Sequence, residues 1–121
     1  MRFVCLGYLN ENQWAHLPEI EQTEILSEYF AYYSSLKENG HFIQGEGFKG
    51  VASGCRLYQK DGVVRVEELI DSEEQPGGYF ILEATDLAEA KTIIRKHPGL
   101  KIGAFEIREI DEEISRAVGA K

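Results

Sequence analysis

Gly77-Gly78-Tyr79-Phe80-Ile81-Leu82-Glu83-Ala84-Thr85-Asp86-Leu87-Ala88-Glu89-Ala90 is the stretch whose reading decides the fold. It reads as a strand running straight into a helix. Tyr79 to Ala84 combines aromatic, branched and small residues, the composition of a strand covered on both faces. Asp86-Leu87-Ala88-Glu89 is a capping-box-like helix start, in which the Asp86 carboxylate takes the Glu89 N–H. Leu87, Ala90, Ile93 and Ile94 then form a packing stripe. Pro98 disfavours helical geometry at His97, and Gly99 completes the stop.

Upstream, Phe3-Val4-Cys5-Leu6-Gly7-Tyr8 carries apolar or small side chains on both alternating sets and predicts a central strand. A polar loop with Trp14 and His16 leads to Pro18, which suits a first helical turn. Ile25, Leu26, Tyr29, Phe30, Tyr33 and Leu36 recur as one apolar stripe, and Asn39-Gly40 ends a helix spanning about residues 18 to 38. His41 to Glu46 reads as a second strand, with His41/Ile43/Gly45 on one face and Phe42/Gln44/Glu46 on the other. Gly45, Gly47, Gly50 and Gly54 make the next segment loop-like. They lack the Lys-Ser/Thr ending that a phosphate cradle requires.

Asp61-Gly62, between Arg56–Lys60 and Val63–Val66, is the two-residue turn of a tight hairpin, because both residues accept positive φ. Glu67 to Pro76 reads as an acidic loop. Downstream of the deciding stretch, Gly103 to Arg108 is a last strand with Phe105/Ile107 on one face and Ala104/Glu106/Arg108 on the other. In the acidic tail Asp111, Ile114, Ala117 and Val118 make one or two helical turns.

The 121 residues, 43% hydrophobic and 28% charged, fit a single domain over 1–121 that buries roughly two-thirds of its unfolded surface. The net charge of −8 is spread along the chain and makes nucleic acid and anionic membranes poor partners. Phe3 to Leu9 is too short and too poorly flanked for a signal peptide, and no stretch has membrane-spanning length. Cys5 and Cys55 have no Cys or His at ligand spacing. They read as small buried apolar residues without a disulfide, in a reducing compartment; the expected location is the cytoplasm. His16 and His41 have no carboxylate cluster at metal spacing, so no metal is expected, and no cofactor either.

The order β-α-β, hairpin, β-α-β describes an α+β fold: a ferredoxin-like split βαβ with an antiparallel sheet and two helices on one face. The other face would then be exposed although its central strands are apolar, so a second copy is expected to press its own sheet there as a homodimer, forming a dimeric α+β barrel. Gln44, Glu46, Glu106 and Arg108 would line a partly enclosed cleft. A Glu–Arg pair and a ligand site are both compatible with them.

Trp14, Tyr29 followed by Gly40, Gly45-Glu46-Gly47, Asp61-Gly62, Gly77-Gly78-Tyr79, Asp86 to Ala90, His97-Pro98 and Phe105-Glu106-Ile107-Arg108, taken in order, resemble the YCII-related proteins of the DGPF subgroup. The resemblance covers nearly the whole chain and implies a dimeric α+β barrel with a cleft between the sheet and the first long helix. Glu67-Glu68-Leu69-Ile70 stands where the subgroup carries Asp-Gly-Pro-Phe. The broader family implies an acid–base dyad, and its two positions are occupied here by Tyr29 and His97.

Two function classes follow. One is a non-catalytic homodimer that binds a small molecule through Trp14, Gln44, Glu46, Glu106 and Arg108, and the sequence leans to it because both dyad positions are replaced. The other is a cofactor-free lyase, isomerase or dehalogenase with His97 as general base and Tyr29 as acid, since an imidazole titrates near neutrality. Tyr29 is equally a core residue on the packing stripe, and His97 equally a favourable charge at a helix C-terminus.

Overall fold

The computed structural model describes residues 1–119. Its main sheet has four antiparallel strands in the order β2 (Phe42–Gly47), β5 (Glu74–Glu83), β1 (Arg2–Asn10), β6 (Gly103–Glu109). Counting only these strands, the order is 2-3-1-4, which makes the fold ferredoxin-like α+β. The two strands read as apolar on both faces, β1 and β5, are the central pair.

Alternation along the strands puts Phe3, Cys5, Phe80, Leu82, Phe105 and Ile107 on one face. The helices α2 (Glu19–Glu38) and α3 (Leu87–Ile94) cover that face, with Leu36, Ala90 and Ile94 packed into the same buried cluster. Phe3, Cys5 and Leu82 are fully buried, and truncating Leu82 to Ala is expected to destabilise the fold by about 2–5 kcal/mol. Val4, Leu6, Tyr79 and Ile81 share the opposite face, together with Glu106 and Arg108 of β6.

Helix α3 starts as its sequence dictates. Asp86 Oδ1 accepts the Glu89 N–H at 2.8 Å, and Glu89 Oε1 accepts the Thr85 N–H at 2.8 Å. Both bonds satisfy N–H groups that would otherwise lack partners at the helix start. The Asp61-Gly62 turn has φ of 53° and 78°, the two positive values a tight hairpin needs. It joins β3 (Cys55–Lys60) to β4 (Val63–Glu68), which form a separate two-stranded sheet. The C-terminal helix α4 (Glu112–Ala117) begins at Asp111, whose Oδ1 accepts the Ile114 N–H at 3.0 Å.

Several sequence expectations are corrected. The loop with Trp14 contains a short helix, α1 (Glu11–Ala15), started by Asn10, whose side chain accepts the Gln13 N–H. The acidic loop shrinks, because β4 runs to Glu68 and β5 begins at Glu74. In β2 an irregularity between Phe42 and Gln44 shifts the alternation, so Phe42 and Gly45 lie on the helix side and Gln44 and Glu46 on the other. Leu87 and Phe30, expected on packing stripes, are exposed, whereas Tyr32 packs against the core. Cys55 is exposed on the hairpin, while Cys5 is buried and its thiol is pushed up to about 12 by desolvation. His97 lies beyond α3, which ends at Ile94, and starts a 3-10 turn over Pro98–Lys101. Among the described residues no helix is long and apolar enough to cross a membrane.

Replacing Asp86 by Ala is expected to lower unfolding free energy by about 1 kcal/mol, measured by urea denaturation, with the slope against denaturant unchanged. An unchanged midpoint would show that the cap contributes nothing.

Candidate functional site

A cleft of about 750 Å³ opens between α2 and the helix-facing side of the sheet. Its floor is nearly bare of side chains. Gly47 of β2, Gly78 of β5 and Gly7 of β1 are adjacent in register, followed by Phe105 of β6. The bareness is required at two of these places. A Cβ on Gly7 would come within 2.9 Å of the Phe105 ring, and one on Gly78 within 2.9 Å of the Glu46 carbonyl oxygen. Gly47 is different, since a Cβ there would meet nothing within 4 Å. It faces open cleft.

The walls are aromatic. Trp14 enters from α1, held by the Gln22 side-chain amide, which donates to the Trp14 carbonyl at 2.7 Å. Tyr29 and Tyr33 descend from α2, Phe42 and Phe48 border β2, and Phe80 and Phe105 rise from the sheet. Adjacent rings meet edge to face, as at Tyr33–Phe80, with centroids 5.3 Å apart and planes at 88°. Charged groups are few. Glu11 lines the cleft but accepts the Val51 N–H at 2.9 Å, and Lys37 lies over the Phe42 ring with Nζ 5.3 Å from its centroid.

His97 sits behind this wall rather than in it. Its ring is 2% exposed, the one polar or charged side chain buried among the described residues. Nδ1 accepts the Gly99 N–H at 2.8 Å, and Nε2 lies 2.7 Å from the Tyr33 hydroxyl. Phe105 packs against it at 4.1 Å between centroids, and Tyr32 at 4.6 Å. Burial drives the imidazole down to about 4 and the Tyr29, Tyr32 and Tyr33 phenols upward. At neutral pH His97 is therefore uncharged and its neighbours are protonated.

The cleft brings Trp14 and Tyr29 together. The Tyr29 ring stands edge-on to His97 at 5.1 Å, but the hydrogen bond of His97 goes to Tyr33, one turn along α2. Gln44, Glu106 and Arg108 lie across the sheet on the face away from the helices. Glu46 borders the cleft at β2, while its pairing with Tyr79 sends its side chain to that same far face. There Glu106 accepts a 2.7 Å hydrogen bond from the Tyr8 hydroxyl, which raises the Tyr8 pKa, and among the described residues no ion pair joins Glu106 to Arg108. Tyr33, legible beforehand only as a stripe residue, is the phenol hydrogen-bonded to His97. Its one legible signal was its i+4 spacing from Tyr29.

A profile of the YCII-related domain matches residues 1–114. The chain belongs to the YCII-related family. Curated protein sequences provide no match. Among solved structures, 5-chloro-2-hydroxyhydroquinone dehydrochlorinase of Burkholderia phenoliruptrix, in complex with 2,5-dihydroxybenzoquinone, is similar with a TM-score of 0.56 at 16% identity, covering 92% of this chain and 94% of that one. The de novo designed protein Ferredog-Diesel is similar with a TM-score of 0.40 at 12% identity, covering 90% of this chain and 85% of that one. Of the two residues at the positions where the resemblance implies an acid–base dyad, Tyr29 lines the cleft and His97 is buried.

The low position of His97 gives a stability signature. Its folded value of about 4 lies below the ordinary 6.5, so the unfolded chain binds the proton first, and stability is lost as pH falls from 6.5 toward 4. The phenols around it do not change charge in that window. Wild type is expected to lose about 3 kcal/mol more than His97→Gln over this range, read by urea denaturation at a series of pH values. Parallel curves for the two proteins would contradict a neutral, buried His97.

Proposed function

We propose that this YCII-related chain is a homodimer that binds a small, flat, largely apolar ring in the cleft between α2 and the sheet. The observation that carries the reading is the floor Gly47–Gly78–Gly7 beneath Trp14, Tyr29 and Tyr33. Three neighbouring strands without side chains leave a flat surface, and aromatic walls favour a flat apolar guest. The quinone in complex with the dehydrochlorinase of similar fold is likewise a small, flat ring. The far face supports the dimer. Val4, Leu6 and Tyr79 are only half-buried on the face that α2 and α3 do not cover, and Leu57, Val64 and Val66 of the hairpin are each more than 60% exposed. An isolated two-stranded hairpin is marginal in water, so a second copy is the natural cover. Gln44, Glu46, Glu106 and Arg108 then belong to the interface rather than to the cleft.

The alternative is a cofactor-free enzyme of the lyase, isomerase or dehalogenase type. It is favoured by the protonated Tyr29 phenol in the cleft wall with the His97 ring behind it, and by the activity of the dehydrochlorinase. Turnover of a halogenated hydroquinone that is lost in Tyr29→Phe would select it; a rate unchanged in Tyr29→Phe would remove that role.

Calorimetric titration with 2,5-dihydroxybenzoquinone is expected to show binding to wild type and at least about tenfold weaker binding to Gly47→Leu, whose side chain enters open cleft without disturbing a packed neighbour. Equal binding by both proteins would move the site elsewhere. Light scattering at micromolar concentration is expected to give twice the chain mass, and a monomeric mass would end the dimer proposal.

A further inference from the structure

The Tyr33 hydroxyl has a direction fixed by its partner. His97 Nδ1 accepts the Gly99 N–H, so that nitrogen carries a lone pair. A neutral imidazole then holds its proton on Nε2, and the 2.7 Å bond to Tyr33 runs from His97 to the phenol oxygen. Tyr33 is the acceptor in that bond and keeps its own proton. Among the described residues no backbone or side-chain oxygen takes that proton, and Tyr33 lines the cleft. Its outlet is the cleft.

The charge nearby has the matching sign. Lys37 lies one turn further along α2, also lines the cleft, and flanks the Phe42 ring that Tyr33 packs against at 5.8 Å. Lys37 takes no part in the ion pairs among the described residues. Of the two carboxylates bordering the cleft, Glu11 is committed to Val51 N–H and Glu46 is directed to the far face. The cleft thus offers a donor and a cation, and little to repel an anion.

We propose that the cleft selects a planar ring bearing an anionic oxygen, a phenolate or enolate, which accepts from the Tyr33 hydroxyl while Lys37 supplies the opposing charge. His97 is the positioning residue that turns this hydroxyl outward. The proposal rests on the reading of the cleft as an aromatic site and adds the chemistry of its guest.

The test compares 4-nitrophenolate with 4-nitroanisole, its uncharged methyl ether, by titration at mildly alkaline pH. Wild type is expected to prefer the phenolate by about tenfold or more, as a charge-assisted hydrogen bond provides. Tyr33→Phe and Lys37→Gln are each expected to reduce the preference, read as the ratio of the two probes' affinities within the same variant. His97→Leu also reduces it, whereas His97→Gln, whose amide can still donate to Tyr33, retains more of it. Equal affinity of the two probes for wild type, or a preference undiminished in Tyr33→Phe, overturns the proposal and leaves the aromatic cleft standing. If neither probe binds wild type, the aromatic reading falls and the proposal with it. Nitrogen-15 NMR of the wild-type imidazole is independent of how the variants fold. A proton on Nε2 at neutral pH is expected, and one on Nδ1 overturns the proposal.

Discussion

The hydrogen bond between the buried His97 and Tyr33 ties together elements that sequence separates. His97 arrives at the end of the α3 segment, Tyr33 comes from the C-terminal half of α2, and the His97 ring rests on Phe105 of β6. An imidazole removed from water requires partners for both nitrogens, because an unsatisfied buried polar group is destabilising by about 1–3 kcal/mol. Here the partners are Tyr33 and the Gly99 N–H. That second bond requires the 3-10 turn after Pro98, and it leaves no room at Gly99, where a Cβ would approach the Tyr29 hydroxyl at 2.5 Å. The proline stop, the glycine and the tyrosines of α2 thus form one constraint.

The cleft depends on the same arrangement. With Tyr33 bonded to His97, side chains of α2 from Ile25 to Lys37 line the cleft whose floor is the Gly47–Gly78–Gly7 row. On the same helix Leu36 closes onto Phe3, Cys5 and Leu82 as an ordinary core. One helix therefore packs through Leu36 and lines the cleft through Tyr29 and Tyr33. The enzyme and binding readings of this YCII-related chain share this geometry and differ only in whether a proton moves.

Most of the fold was legible because the signals were local. The Asp86 cap, the Pro98 stop, the Asp61-Gly62 turn and the doubly apolar strands β1 and β5 each act within a few residues, and they determine the element order and hence the ferredoxin-like sheet. The faces of the sheet were less legible. An irregularity at Ile43 reverses the alternation of β2 without any mark in composition, so Phe42 and Gly45, on opposite faces in the simple period, share one. The short helix α1 was hidden in a polar stretch whose only start signal is Asn10. On α2 the stripe could not say which of the adjacent pair Tyr29 and Phe30 turns inward; packing against His97 and Gly99 selects Tyr29 and leaves Phe30 73% exposed. The Tyr33–His97 bond spans 64 residues, beyond any periodicity.

The helix-facing cleft, and not the far face of the sheet, is the proposed seat of the small molecule. Amide chemical-shift mapping with 4-nitrophenolate tests it most directly, because the glycines of the floor report on one face and the polar residues of β2 and β6 on the other. Shifts concentrated at Gly7, Gly47, Gly78 and Gly99 are expected. Shifts confined to Gln44, Glu106 and Arg108 would contradict this placement.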